Sequence, residues 1–381
     1  MQKDEEILMI TTTYGELFTM DALYKSHLRA RRTRRGKRPV VRFELSLLSN
    51  ISDLYSRLNS DKFTFGNYNT FIVYEPKRRE IQNLRYSDRI VQHLLCDKLL
   101  MPYFSSLVIV DNCVCQKGKG MHFALRRFER MLCKFIGAHG VNGWFLKCDI
   151  LKYFPSVRHD ILKSAVCPHI GDVRLRAMIE GIIDGYHTSE EYLDKYGIPS
   201  LGSGDCTERG IPIGNQTSQI FGMYYLDPID RLIKERLGIR AYSRYMDDFI
   251  LIHHDKNYLR QVRDAIIAKA EALGLRLNSK THIFPITNGV TYLGYRYCVM
   301  PTGRIIKTVK KRTKRRFRWR ARLLKKACLG GVIQPARVLQ SLSALHGHLK
   351  HGRNRKFEAE LYSKLRFAIQ PAADNKDKNN L

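Results

Sequence analysis

Hydrophobic positions along the chain follow two rhythms, one near 3.6 and one near 2. Residues 40–59 place Val41, Leu45, Leu48, Ile51, Leu54 and Leu58 at three- and four-residue spacing, which predicts a helix. Residues 1–28 read as helical with a weaker pattern. Phe63-Thr64-Phe65 and residues 68–74 predict strands around a turn. Helices follow from Arg85 through Leu94, Leu95, Leu99 and Leu100, and through Phe123, Leu125, Phe128 and Leu132. Residues 144–150 predict a strand that ends on Asp149, with a helix starting near His159. Residues 197–215 are rich in Gly, Ser and Pro and read as loop. Further helices are predicted over 217–237, 257–273 and 307–326, and from Pro335 through Leu349. Strands are predicted over 275–281 and 290–295, and the polar tail after Gln370 as disordered.

One stretch breaks the pattern. Arg244-Tyr245-Met246-Asp247-Asp248-Phe249-Ile250-Leu251-Ile252 places two adjacent carboxylates at the turn of an apolar hairpin. Like charges so placed repel, and a divalent metal is the natural counter-charge. A solvated turn with incidental Asp residues is the plain alternative. Asp149 supplies a third carboxylate at a strand end, and it meets the pair if the two strands are neighbours in one sheet. A strand ending on an acid, a long helix, and a hairpin bearing two acids is the layout of a nucleotidyl-transferase palm. Its chemistry holds phosphates and an attacking oxygen in line through two divalent ions about 3.5–4 Å apart, bound by hard carboxylate oxygens.

Charge sharpens the expectation. The 381 residues carry 66 Lys and Arg against 36 Asp and Glu, a net charge of +30, which favours a polyanion partner: nucleic acid first, anionic membrane second. Residues 29–38 hold seven basic side chains in ten, and residues 307–326 hold 12 in 20 with no acid. The second segment predicts a helix with one basic face and one apolar face of Phe317, Trp319, Leu323 and Leu324. Lys77 and Arg79, on a predicted strand pair beside a helix, are candidates for triphosphate contact; a charged surface hairpin is the plain alternative. The basic Gly-rich loop at 116–120 lacks the spacing of a P-loop. No apolar run reaches about 18 residues, so no membrane span is expected. The N-terminus lacks a signal-peptide pattern. Nine cysteines without paired CxxC spacing point to reduced thiols and a cytoplasmic location.

The Tyr-Met-Asp-Asp box resembles that of reverse transcriptases, and the resemblance continues in order over roughly residues 40–350. Arg79 with Asp88-Arg89-Ile90-Val91-Gln92, the loop Gln116–Gly120, Asp149 with Phe154 five residues on, Leu277-Asn278 with Lys280-Thr281, and Tyr292-Leu293-Gly294-Tyr295 each resemble a block of bacterial members. Ile213-Gly214-Asn215-Gln216-Thr217-Ser218-Gln219 resembles the variant found in diversity-generating retroelements, where many relatives carry Gln-Gly. The resemblance implies an α+β right-hand polymerase: a basic extension over 1–39, fingers over 40–140, a palm of antiparallel sheet backed by helices over 141–300, a helical thumb over 301–369, and a disordered tail over 370–381. It implies Asp149, Asp247 and Asp248 as catalytic, with the Ile150 carbonyl assisting at two Mg2+ ions, for which Mn2+ can substitute. It implies Lys77, Arg79, Phe154, Ile213, Gly214, Gln219 and Lys280 at the nucleotide. Lys310, Lys311, Lys314, Arg315 and Arg318 are expected on the primer–template duplex. The implied partners are a template RNA, a primer or its cDNA, and an oligomer of a small basic accessory variability protein. The implied activity is cDNA synthesis with errors opposite adenine; a group II intron or retron-type enzyme is the alternative.

Overall fold

Nine strands and a larger set of helices form among the residues that the computed structural model describes: 9–60, 63–74, 77–198 and 208–366. They fall into two units. The first comprises Met1–Phe128, Leu146–Leu251 and Asn257–His282; the second comprises Glu129–Phe145, Ile252–Lys256 and Ile283–Leu381.

In the first unit, Thr13 opens a short helix with a capping box. Its hydroxyl accepts from the Glu16 amide, and the Glu16 carboxylate accepts from the Thr13 amide. Strand β1 (Asn69–Val73) pairs antiparallel with β2 (Arg79–Asn83). Strands β3 (Trp144–Asp149), β4 (Tyr242–Tyr245) and β5 (Asp248–His253) lie in the order β4-β5-β3, and β6 (His282–Pro285) begins at the end of the unit's last segment. Phe249, Ile250 and Leu251 are all fully buried, so β5 is covered on both faces within the sheet interior. The helix Lys256–Ala272 buries Leu259, Val262, Ile266 and Ala270, a stripe at helical spacing.

The second unit holds a meander of β7 (Val290–Tyr292), β8 (Tyr295–Val299) and β9 (Ile305–Val309). Three helices follow, Lys311–Leu329, Pro335–Leu349 and Arg355–Leu365. Buried Asn354 ties sheet to helices: its side chain accepts from the Val309 amide and donates to the Leu349 carbonyl.

The structure revises several expected elements. The helix over 40–59 is two helices, Arg38–Leu45 and Leu47–Asn59, broken where Ser46 leaves helical geometry. Leu45 and Leu48, counted on its apolar face, are 80% and 78% exposed. Phe63-Thr64-Phe65 is not a strand, and its partner role falls to β2. The helix expected over 217–237 ends at Tyr224, and Pro228, which has no amide to donate, sits in a separate turn of helix. Residues 275–281 form a turn with a single bridge, Ile150 to Leu277, and the strand follows at β6. Residues 290–295 divide at Leu293-Gly294, both at positive φ, into a hairpin. Lys307 belongs to β9, so the basic helix starts at Lys311 rather than 307. Its buried stripe is Thr313, Phe317 and Ala321, whereas Trp319 and Leu323 are about half exposed.

The tail over 370–381 and part of the loop over 197–215 lie outside the described residues. The cysteines of the described residues are all unpaired thiols. No helix among the described residues is long and apolar enough to cross a membrane.

Candidate active site

The β4–β5 register pairs Tyr245 with Asp248 and leaves Met246 and Asp247 as a two-residue turn. Such a turn requires positive φ, and Met246 adopts +55° although it is not glycine. The strain is held by Arg244, whose guanidinium is buried and donates to the Met246 carbonyl at 3.2 Å. The same guanidinium donates to the Met223 carbonyl and pairs with buried Asp230 through two nitrogens. On the outer side of β4, the Arg244 amide donates to the Asp111 carbonyl at 3.1 Å, and the Cys113 amide donates to the Arg244 carbonyl at 3.0 Å. Asp111 is itself paired with Arg127 and Lys234.

β3 lies beside β5 and ends on Asp149. The Asn278 amide donates to the Asp149 carbonyl at 2.7 Å, and the Leu151 amide to the Arg276 carbonyl at 2.8 Å. That bridge uses neither the amide nor the carbonyl of Ile150, so the Ile150 carbonyl stands outside it. The Asp149 amide faces the Thr281 hydroxyl at 3.5 Å. Lys280 is exposed on the turn that supplies these contacts.

Burial pushes the Asp247 carboxyl up to about 6. The Asp149 and Asp248 carboxylates push it the same way, while the Asp247 amide and the Arg79 guanidinium oppose them. The three acids therefore share one electrostatic site, and Arg79, exposed on β2, reaches it through its field. Lys147, two residues before Asp149 on β3, places its ammonium 3.2 Å from Asp248. Three hard carboxylates, one of them raised by burial and by its two neighbours, are a donor set suited to Mg2+ or Mn2+. Asp149, Asp247, Asp248 and the Ile150 carbonyl would hold such ions.

Phe154 follows Lys152, which turns the chain at φ +46°. Its ring is half-buried, meets Tyr153 edge-on at 5.5 Å, and lies beside Gly222 of the helix Gln216–Tyr224. Tyr153 donates to the Gly222 carbonyl at 2.6 Å, and the Ile211 amide to the Phe154 carbonyl at 2.9 Å.

Two residues on, β2 grips the same loop. The Gln82 amide donates to the Ile213 carbonyl at 2.8 Å, and the Ile213 amide donates to the Gln82 side-chain oxygen at 2.9 Å. Gly214 has φ +139°, and a Cβ there would stand 2.4 Å from the Gln82 carbonyl oxygen. Gln219 is exposed one helical turn on, with the Cys115 thiol 3.6 Å from its oxygen. Lys77 is exposed before β2.

In the second unit, Lys311 and Arg315 are exposed on one side of the basic helix. Arg318 instead lies over Phe357, and its guanidinium binds Glu360 at 2.8 and 2.7 Å. Lys314 is half-buried with its ammonium 5.5 Å from the Phe357 ring, and Lys310 caps the helix start. The five cations expected on nucleic acid thus divide between an exposed face and a helix–helix contact.

Sequence reading missed Lys147, Arg244, Asp230 and Gln82 as parts of the site. Lys147 was findable, because alternate strand residues share a face with Asp149. The Arg244–Asp230 and Gln82–Ile213 pairings are set by tertiary folding, and no local pattern marks them.

Residues 76–297 match the family model described as reverse transcriptase (RNA-dependent DNA polymerase). The match covers the carboxylates, Arg79, Phe154, the 213–219 block and Lys280, and it ends before the basic helix. The chain is 25% identical over 243 residues to Protein YkfC of Escherichia coli (strain K12), an alignment that covers 55% of this chain. It spans about 60% of YkfC's length.

Proposed function

Given that the chain belongs to the reverse transcriptase (RNA-dependent DNA polymerase) family, we propose that it extends a DNA primer on an RNA template, with errors concentrated opposite template adenine. The observation that carries the polymerase reading is the grouping of Asp149, Asp247 and Asp248 at neighbouring strand ends, where burial first, and then the charges of Asp149 and Asp248, raise Asp247 to about 6. Divalent ions at that site would neutralise phosphate charge and lower the pKa of the attacking hydroxyl. Asp149 at the end of β3 and Asp247 in the β4–β5 turn would hold the ions, and Arg244 fixes the turn that aims Asp247. Asp248 has a lesser role, consistent with Lys147 beside it. Arg79 and Lys77 bind the triphosphate. Lys280 delivers a proton to the departing pyrophosphate. The half-buried Phe154 ring packs under the sugar and excludes a 2′-hydroxyl.

In this reading residues 40–140 act as fingers, 141–300 as palm and 301–369 as thumb. Lys311 and Arg315 hold the duplex through phosphates, together with Lys310 and Lys314. Template RNA and primer are the partners, with a small basic accessory protein, in the cytoplasm.

The error-prone part rests on Ile213. Its backbone is pinned by Gln82, so its side chain is the variable part of the loop that leads to the helix Gln216–Tyr224. A Gln there would offer a hydrogen bond to the nascent pair, and Ile offers apolar contact alone. One such bond is worth about 0.5–1.5 kcal/mol, up to roughly tenfold in discrimination. Adenine pairs through two hydrogen bonds, so a loosened check shows there first. The test is the error spectrum of cDNA made by wild type and Ile213→Gln on one RNA. Fewer adenine errors in the variant support the role; equal rates remove Ile213 from it. Accurate copying by the wild type removes the retroelement reading while leaving the polymerase intact.

A further inference from the structure

A second donor cluster shares no residue with the three acids and is used by none of the roles above. His159 opens the helix His159–Val166 and is 3% exposed. Its Nε2 lies 2.7 Å from the Gly210 carbonyl oxygen, so Nε2 carries the proton and donates. That fixes the tautomer and leaves a lone pair on Nδ1. Among the described residues Nδ1 has no hydrogen-bond partner, although it is buried. It is aimed at two carboxylates, with Asp184 Oδ1 at 3.5 Å and Glu208 Oε2 at 3.6 Å. The three donor atoms lie within 4.8 Å of one another.

A lone pair facing two anions is repulsive unless a cation stands between them. A protonated Nδ1 would be one answer, and it would draw a carboxylate to about 2.7–2.9 Å. The observed gaps are longer than that. They match a metal centre instead: Zn–N of about 2.0–2.1 Å and Zn–O of about 2.0–2.2 Å, at the tetrahedral angle, separate N from O by about 3.4 Å. The carbonyl on the far ring nitrogen is the usual outer partner of a metal-bound histidine. Lys163 binds the other oxygen of Asp184 at 2.6 Å, which leaves Oδ1 turned toward His159. A nitrogen donor with two carboxylates favours Zn2+ over the all-oxygen preference of Mg2+.

We propose that His159, Asp184 and Glu208 form a structural Zn2+ site, with water as the fourth ligand. Its place in the fold gives it a task. The His159 amide donates to the Glu208 carbonyl at 3.0 Å, and the Gly210 amide to the Val157 carbonyl at 2.8 Å. The metal would close this clasp and so anchor the segment that runs from Glu208 through Gly210 to Ile213 and Gly214.

The test uses the full chain stripped by chelator and titrated with Zn2+, and with Co2+ as a coloured stand-in. Asp247→Asn serves as the background, so that the three acids of the candidate active site are not counted. The expected result is one tightly held equivalent, a tetrahedral Co2+ absorption band, and a rise in Tm on adding Zn2+. Glu208→Gln should weaken that binding by more than about 100-fold, since loss of an outer partner alone costs about 10–100-fold. Glu208 and Asp184 are half-exposed, so Glu208→Gln and Asp184→Asn test the site without disturbing the buried ring. Absence of Zn2+ binding at micromolar concentration overturns the proposal, as does binding that Glu208→Gln and Asp184→Asn leave unchanged.

Discussion

Arg244 and Asp230 form an ion pair in which neither side chain is exposed to solvent, and the same guanidinium reaches the carbonyl of Met246 at the strained turn before Asp247. Removing one partner of such a pair leaves an uncompensated buried charge, at a cost of about 3–5 kcal/mol. Asp230→Leu should therefore lower unfolding stability by that order in denaturant titration. Asp230→Leu with Arg244→Met should recover most of it, because the lone charge is gone. Activity should not return with stability, since Met cannot hold the Met246 carbonyl. A double variant with normal activity would show that the turn needs no such support.

Gly214 is required by geometry rather than composition. Its φ of +139° disfavours any side chain, and a Cβ would overlap the Gln82 carbonyl oxygen. Gly214→Ala should separate the loop from β2, destabilising the chain by about 1–3 kcal/mol and raising the apparent nucleotide KM. Unchanged Tm and KM would contradict the close approach.

The raised Asp247 carboxyl gives a signed pH dependence. Its folded pKa is about 6, against about 3.9 when unfolded. The folded state therefore binds this proton more tightly, so the ionised group costs stability above pH 6 and that cost falls away as pH drops through 6 toward 4. In metal-free protein, Asp247→Asn should raise stability at pH 7–8, and the gain should shrink to nothing near pH 4. With metal, proton competition should weaken Mg2+ binding about tenfold per unit below pH 6. A pH-independent difference between the two proteins would contradict the shared site.

The two sides of the basic helix should behave differently. Lys311→Gln with Arg315→Gln should flatten the salt dependence of duplex binding by about two units of log–log slope. Arg318→Gln should leave the slope unchanged and reduce stability instead, through the lost Glu360 pair. An unchanged slope in the first variant would assign that face to a protein partner.

Much of this was legible in the sequence. The Asp-Asp pair inside an apolar run marked the β4–β5 hairpin, and Asp149 at a strand end was readable from the run before it. Helix breaks were harder. Ser46 interrupts an unbroken apolar period, and only the exposure of Leu45 and Leu48 reveals that the period did not define one face. The amphipathic reading of 307–326 missed β9 because Ile305–Val309 is too short to show its own alternation before the basic run begins. The pairings that hold the site, Arg244 with Asp230 and Gln82 with Ile213, join residues 14 and 131 positions apart. The roles proposed for the acids rest on local residue types, but the supports that position them are long-range.

The most direct measurement is primer extension on a defined RNA with Mg2+, comparing the wild type with Asp247→Asn at matched folding by thermal melt. The account predicts template-dependent DNA synthesis by the wild type and a loss of at least about 1000-fold in the variant, the cost of misplacing the reacting groups under the role proposed for Asp247. Extension by Asp247→Asn within a fewfold of the wild type would contradict it.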